Sequence, residues 1–491
     1  MSALCSGEGL RLALHEAGLL VGVQGTLPVE IAGVSDDSRA VRPGWAFVAV
    51  RGSVADGHHW LRDASERGMG LAIVEDATGV SGPALLVRDS RQAAAVVGAA
   101  AYGFPARWLR VVGVTGTSGK TTTVSMLRHL LDGVIGRAAS IGTLGVLIGG
   151  EGTPWPGGQG LTTPGPIELQ RVLRALVDAG VRDVAMEASS HALDQRRVDG
   201  VAFTAAVFTN LSRDHLDYHA TMEAYLAAKA RLVSLVAPGG AVVVNADDDA
   251  WSALPAAPRV VRYGFGAGAP EVSAREMRFG PGGSSWMLTA GGETRPVQLP
   301  LIGDFNVANA LGAAAAAWAI GIPLACIAER LSTLPQVPGR LERVLERPAV
   351  LRDYAHKPDA MERALDAVRP FAPQRLIVVF GCGGDRDRGK RPIMGGIAER
   401  KADLVILTSD NPRTEDPERI LDEIEAGMTR RDHLRIEDRR AAIARALEEA
   451  GPDDLVVLAG KGHETYQIRG TTSHAFDEKA IVQELVSERR A

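Results

Sequence analysis

Apolar runs of four to eight residues alternate along this chain with amphipathic stretches, and the two spacings separate buried strands from helices. Residues 45–50 and 71–74 predict strands and residues 90–102 a helix, giving a small mixed domain over 1–107. From residue 109 strands are predicted over 109–115, 181–186, 201–208 and 241–244, with helices over 120–131 and 222–235. Strand–helix alternation of this kind predicts a parallel sheet. A polar, glycine-rich meander over 264–292 precedes an uncharged, alanine-rich stretch over 310–328. Gly312, Gly321 and Pro323 mark that stretch as a packed core helix and its exit, not a membrane span. Residues 334–339 predict a linker, after which strands over 349–353, 376–380, 404–407 and 455–458 alternate with helical stretches. The expectation is an α/β chain of three domains: a small mixed domain (1–107), a central parallel-sheet nucleotide domain with a phosphate loop (108–336), and a Rossmann-like α/β domain (337–491).

Length and composition fit that division. The 491 residues exceed one ordinary core, and 46% hydrophobic with 23% charged residues is a globular balance. A net charge of -5 argues against nucleic acid as a partner. Cys5, Cys326 and Cys382 form neither a disulfide framework nor a zinc pattern. With no basic-then-apolar leader, the expected compartment is the cytoplasm, without membrane insertion and as a monomer. Only seven lysines stand among the 54 basic residues, so a lysine inside a motif carries more information than usual.

Residues Gly116-Thr117-Ser118-Gly119-Lys120-Thr121-Thr122 follow a valine-rich strand and open a helix. Backbone N–H groups at such a helix mouth cradle phosphate, the Lys120 ammonium neutralises charge, and the Thr121 hydroxyl reaches Mg2+. Val114 stands where the longer phosphate-loop pattern has glycine. Two further clusters end strands: Met186-Glu187-Ala188-Ser189-Ser190-His191, and Asn210 to His219, which contains Asp214, His215 and Asp217. Ligands of open parallel sheets bind beyond the strands' carboxyl ends, so both clusters should face the phosphate loop. Thr121 and Glu187 would make a sparse oxygen site for Mg2+; His215 is a poorer ligand by type, and a satisfied loop histidine is its alternative.

These residues resemble the Mur ligases, ATP-dependent amide-forming enzymes of peptidoglycan synthesis, and more distantly folylpolyglutamate synthetases. TGTSGKTT, MEASSHAL, NLSRDHLDYH, Gly303-Asp-Phe-Asn306-Val-Ala-Asn309, Val337-Pro-Gly-Arg340 and Asp353-Tyr-Ala-His356 occur in the family's order over essentially the whole chain. The resemblance implies ATP as co-substrate, held by the phosphate loop with Asn306, Arg340 and Asp353. It implies a UDP-sugar dipeptide held by Ser38, Ser53, Val54, Ala55, Thr162, Thr163, Ser189, Gln195 and Arg197. It also implies that Lys229 carries a carbamate and, with Thr121, Glu187 and His215, holds Mg2+; from local sequence alone Lys229 reads as a solvated helix lysine. Lys120, Lys229, His215, Arg340 and His356 are the implied catalytic residues. Trp45, and Lys357 after the Asp-Tyr-Ala-His motif, depart from the usual family residues.

Within the family, the stretch from Gly381 to Pro392 with Arg386, then Asp410-Asn411-Pro412-Arg413 and Gly460-Lys461-Gly462-His463-Glu464, resemble members that add meso-diaminopimelate. An arginine suits the second carboxylate of that amino acid, which lysine lacks. The implied contacts are Arg386, Asp410, Asn411, Pro412, Arg413, Gly460 and Glu464. The implied chemistry is attack of a D-glutamyl carboxylate on the ATP γ-phosphoryl group, followed by attack of the incoming amine on the acyl phosphate. His356 or a carboxylate would take the amine's proton. A P-loop switch or transport ATPase, a folylpolyglutamate synthetase and a non-catalytic nucleotide-binding scaffold are the competing readings.

Overall fold

The protein is described by a computed structural model over residues 5–52, 55–158, 160–266, 269–430 and 432–490. It is mixed α/β and divides into two compact units. The first comprises Met1–Arg275, Leu288–Arg295 and Ala308–Leu331; the second comprises Glu276–Met287, Pro296–Val307 and Ser332–Ala491.

The first unit opens with a five-stranded sheet in the order Leu20–Gln24, Ala84–Val87, Leu71–Val74, Trp45–Val48, Gly33–Ser35. Only the first pair is antiparallel. One face buries Leu10, Leu14, Val34, Val48, Ile73 and Val97. The strands read as unbroken apolar runs because helices cover both faces of a parallel sheet.

A second sheet places Arg110–Thr115 between Phe203–Phe208 and Val181–Glu187, all parallel. Val114 pairs with Glu187 and Thr115 with Phe208, so the three strands end level. The phosphate loop, the Ala188-Ser189 turn and the Thr209-Asn210 turn therefore leave the sheet at one edge, where ligands of such sheets bind. The predicted strand over 241–244 is longer, Val236–Asn245. Its register shifts between the pairs Phe203↔Val236 and Ala205↔Ala241, and this irregularity absorbs Pro238-Gly239-Gly240, whose composition hides the strand from a periodicity argument. The polar meander forms three strands, Val272–Gly280, Gly283–Ala290 and Glu293–Leu299, whose residues are divided between the two units. The alanine-rich stretch belongs to two helices, Asp304–Ala319 and Leu324–Ser332, and Ala313 to Ala317 are fully buried. Among the described residues no helix is long and apolar enough to cross a membrane.

The second unit contains a six-stranded sheet in the order Glu342–Leu345, Ala349–Asp353, Leu455–Ala459, Leu376–Phe380, Leu404–Leu407, Leu434–Arg435. All pairs but the first are parallel. Asp353 pairs with Ala459 and Phe380 with Leu407, so the motifs after these strands again share one edge.

Two of those motifs are held from below by a fully buried ion pair. Arg439 Nε donates to Glu478 Oε1 at 2.8 Å, while Nη1 and Nη2 donate to the carbonyls of Ser409 (3.3 Å) and Ala459 (2.9 Å), the residues just before Asp410 and Gly460. Removing one partner strands the other charge in the interior. Arg439→Met should destabilise the second unit by about 3–5 kcal/mol, measured as a lowered midpoint of its urea unfolding transition.

Candidate active site

The phosphate loop is shaped by two glycines that no other residue could replace without strain. Gly116 has φ +149° and Gly119 φ +85°; a Cβ on Gly116 would lie 1.9 Å from Thr209 Oγ1, and one on Gly119 2.2 Å from Asn309 Oδ1. The neighbouring strand's turn braces the loop. Thr117 N donates to Asn210 O (2.7 Å), Ser118 N to Asn210 Oδ1 (2.9 Å), and Thr209 Oγ1 to Ser118 O (2.7 Å). Ser118 is exposed, whereas Thr121 and Thr122 are buried on the helix Lys120–Leu131.

Lys120 Nζ donates to Gly116 O (2.8 Å) and Thr117 O (2.9 Å). Lys229 is 1% exposed, so the solvated-lysine alternative fails: its Nζ also donates to Gly116 O, at 2.8 Å, and lies 4.3 Å from the Tyr225 ring centroid. Thr121 Oγ1 donates to Glu187 Oε1 at 3.0 Å, and Thr143 donates to the same carboxylate through N (2.8 Å) and Oγ1 (3.3 Å). Glu187 is buried, and Gly142 makes room for it, since a Cβ there would lie 2.3 Å from Oε1. Among the described residues no group of three or more His, Cys, Asp or Glu is arranged to hold a metal. The Thr121 hydroxyl and Glu187 carboxylate nevertheless fit Mg2+, which takes hard oxygen donors and keeps several waters. His215, in the left-handed region at φ +53°, is half exposed; its Nε2 lies 3.3 Å from Asp214 Oδ2 and its ring packs edge-on against His191 at 4.7 Å.

Residues assigned to the sugar-dipeptide end gather around the same strand ends. Thr163 Oγ1 donates to Glu187 O (2.8 Å) and Ser189 Oγ (3.3 Å), and Thr162 Oγ1 lies 3.4 Å from Thr143 Oγ1. Arg197 donates through Nη1 to Thr163 O (3.0 Å) and through Nη2 to Gln195 Oε1 (2.6 Å). Gln195 Nε2 in turn donates to Tyr218 OH at 3.1 Å. Ser38 is buried and begins a short helical turn after Asp37, Ala55 is exposed with its carbonyl bonded to Gly52 N, and Ser53 and Val54 lie outside the described residues.

In the second unit, Arg340 lies over the Tyr354 ring, 4.9 Å from its centroid, and its Nη1 donates to Gly339 O. Asp353 Oδ2 accepts from Leu341 N at 2.7 Å, and desolvation pushes its carboxyl pKa up to about 6. His356 Nδ1 donates to Tyr354 O (2.7 Å); desolvation, reinforced by Lys357 and Lys390, lowers its pKa to about 4, so the imidazole is neutral near pH 7. Asn306 is fully buried with Nδ2 on Ile302 O (2.7 Å), while its Oδ1 has no hydrogen-bond partner among the described residues.

The amino-acid motifs form one cluster. Arg413, at φ +53°, donates through Nη1 to Gly384 O (2.9 Å) and approaches Asn411 O (3.5 Å). A Cβ on Gly383 would lie 3.0 Å from Arg413 Nη1, so that glycine lets Arg413 approach closely. Arg386 is exposed, its Nη1 on Asp385 O. Pro412 O would lie 1.8 Å from a Cβ on Gly384, and Asp410 Oδ2 2.6 Å from one on Gly460. Asn411 Nδ2 donates to Glu464 Oε2 at 2.9 Å. Asn210, Asn309, Thr143, Tyr225 and Lys461 also belong to these sites although the sequence did not single them out as site residues. Asn210, Asn309 and Lys461 lie inside motifs already marked, whereas Thr143 and Tyr225 carried no local signal.

The fold and these strand-end sites define a ligase-type nucleotide protein, and the comparisons place it. Residues 114–317 match the Mur ligase middle domain, and 339–462 the Mur ligase, glutamate ligase domain. The chain belongs to the Mur ligase family. It is 45% identical over 98% of its length to a UDP-N-acetylmuramoyl-L-alanyl-D-glutamate–2,6-diaminopimelate ligase of Gloeobacter violaceus, covering 99% of that protein. It is 43% identical to the protein of the same name in Geobacillus thermodenitrificans, with 94% and 96% of the two chains covered. A solved structure of a ligase of that name superimposes with TM-score 0.69 at 34% identity, over 96% of this chain and 98% of the other. The MurF ligase of Thermotoga maritima in complex with ADP shares the fold, with TM-score 0.64 at 20% identity over 93% and 98% of the chains.

The raised pKa of Asp353 gives a pH signature. A carboxyl that binds its proton more tightly when folded stabilises the protein below its ordinary pKa of 3.8, and that contribution is lost as pH rises through about 6. Asp353→Asn, which cannot ionise, should melt progressively higher than the wild type as pH is raised from about 4 to 7, measured by thermal unfolding across that range.

Proposed function

We propose that this protein is the ATP-dependent ligase that joins meso-diaminopimelate to UDP-N-acetylmuramoyl-L-alanyl-D-glutamate, forming ADP and phosphate through an acyl phosphate. The observation that carries this is the presence in one chain of a braced phosphate loop and a separate strand-end cluster in which Asn411 contacts both Arg413, through its carbonyl, and Glu464, through its side-chain amide. The first suits a triphosphate, the second an amino acid bearing both charges. The names of relatives at 45% and 43% identity over nearly full length support the same substrates. We assign the dipeptide substrate to domain 1–107 together with Thr162, Thr163, Ser189, Gln195 and Arg197, the nucleotide to 108–336, and the amino acid to 337–491. The protein acts as a cytoplasmic monomer in this account.

A carboxylate is a poor electrophile, so amide formation needs it converted to a better one. The D-glutamyl carboxylate oxygen attacks the γ-phosphorus, the bond to the β–γ bridging oxygen breaks, and ADP leaves. The diaminopimelate nitrogen then attacks the acyl carbon and expels phosphate. Lys120 and the loop N–H groups neutralise and orient the phosphates. Mg2+ bound at Thr121 and Glu187, with His215, would supply charge neutralisation for the γ-phosphoryl group. His356, its Nδ1 donating to Tyr354 O and its pKa lowered to about 4 by burial, is no stronger a base than an ordinary carboxylate, so either it or a carboxylate takes the amine's proton.

Lys229 is assigned a carbamate, formed when its neutral amine attacks carbon dioxide, making an N–C bond and releasing one proton. Two ammonium groups on the one carbonyl of Gly116 repel each other, and turning Lys229 into an anion replaces that repulsion with attraction to Lys120 and to Mg2+.

The function is tested by ADP release from purified protein, which should require both the UDP-sugar dipeptide and diaminopimelate. Release without either would favour a simple ATPase. Lys229→Ala should lower turnover by about three decades or more, of the order seen when a phosphoryl-transfer charge is removed, and short carboxylic acids should restore part of it.

A further inference from the structure

Lys461 is one of seven lysines in the chain and is fully buried, so its ammonium does not touch solvent. Its Nζ donates to Asn411 Oδ1 at 3.2 Å and to Glu464 Oε2 at 3.1 Å, with the rings of Tyr466 and Phe476 centred 5.6 and 6.0 Å away. Asn411 Oδ1 also accepts from Ile468 N at 2.9 Å, which fixes the amide orientation and sends Nδ2 to Glu464 Oε2. Glu464 Oε2 therefore accepts two hydrogen bonds. Oε1 accepts none among the described residues, and the side chain is 14% exposed.

We propose that Lys461 is a positioning residue for amino-acid selection: it locks one oxygen of Glu464, together with the side chain of Asn411, so that the other oxygen meets the ammonium of the incoming diamino acid. The inference rests on the assignment of this cluster to diaminopimelate. It divides the motif's labour. Asn411, whose oxygen is committed to Lys461 and Ile468, acts by holding Glu464, while Glu464 and Arg413 touch the substrate. A buried ammonium opposite a carboxylate reduces that carboxylate's net attraction for a second cation, so Lys461 contributes geometry at the expense of some charge. Geometry dominates because a carboxylate free to rotate would have to be ordered again at each binding event.

The test is the kinetics of the full-length Lys461→Met protein. Its KM for diaminopimelate should rise roughly 10- to 100-fold, the range for loss of a charged hydrogen bond. Its kcat and its KM for ATP and for the UDP-sugar dipeptide should stay within about threefold. In a Glu464→Gln background the same substitution should add less than about threefold, because the group it positions is already altered. If thermal unfolding shows that Lys461→Met does not fold, Lys461→Gln is measured instead, and a neutral donor should give an intermediate KM. An unchanged KM for diaminopimelate in a folded variant, equal rises in all three KM values, or full additivity with Glu464→Gln overturns the inference. A wild-type protein that releases no ADP with both substrates overturns the functional assignment itself and the inference with it.

Discussion

One backbone carbonyl, Gly116 O, accepts hydrogen bonds from two lysines, Lys120 and Lys229, each at 2.8 Å. The loop that presents this carbonyl exists only because Gly116 and Gly119 adopt positive φ and leave space for Thr209 and Asn309. Its position at the sheet edge follows from the level ends of three parallel strands, which bring Glu187 and Asn210 to either side. The Glu187 carboxylate is buried yet partnered, accepting from Thr121 and Thr143, and Ser118 N donates to Asn210 Oδ1. A buried acceptor left without donors would be strongly unfavourable, so the bracing residues are part of the phosphate site and not decoration around it.

The second unit solves the same problem with different residues. Its parallel strands also end level, and glycines at 381, 384 and 460 let neighbouring loops approach more closely than any side chain would permit. Arg439 and Glu478 anchor two of these loops from the interior, and Lys461 ties the tops together. Within this cluster Glu464 is paired with Lys461, while Arg413 donates to the carbonyl of Gly384, so both side chains are held in defined positions.

Much of this was legible in the sequence because the parallel strands are continuous apolar runs and the site residues follow them directly. The strand over residues 110–115 and its helix, and the motifs at Glu187, Asn210, Asp353, Asp410 and Gly460, are where the pattern places them. Strand Val236–Asn245 was half hidden, since Pro238, Gly239 and Gly240 interrupt its pattern while a register shift preserves its pairing. Thr143 and Tyr225 were invisible because their roles depend on distant partners, Glu187 and Thr117, that only the fold brings near. Lys229 shows the reverse case: local sequence reads it as a solvated helix lysine, the family resemblance as an internal group, and the fold buries it against the phosphate loop.

In the proposed reaction the carboxylate of the acceptor is activated by phosphorylation before the amine attacks. This activation is tested most directly by supplying the UDP-sugar dipeptide with 18O in its D-glutamyl carboxylate, together with ATP and diaminopimelate, and weighing the phosphate released. Each phosphate released should carry one oxygen from the labelled carboxylate. Amide product formed with phosphate free of label would contradict it.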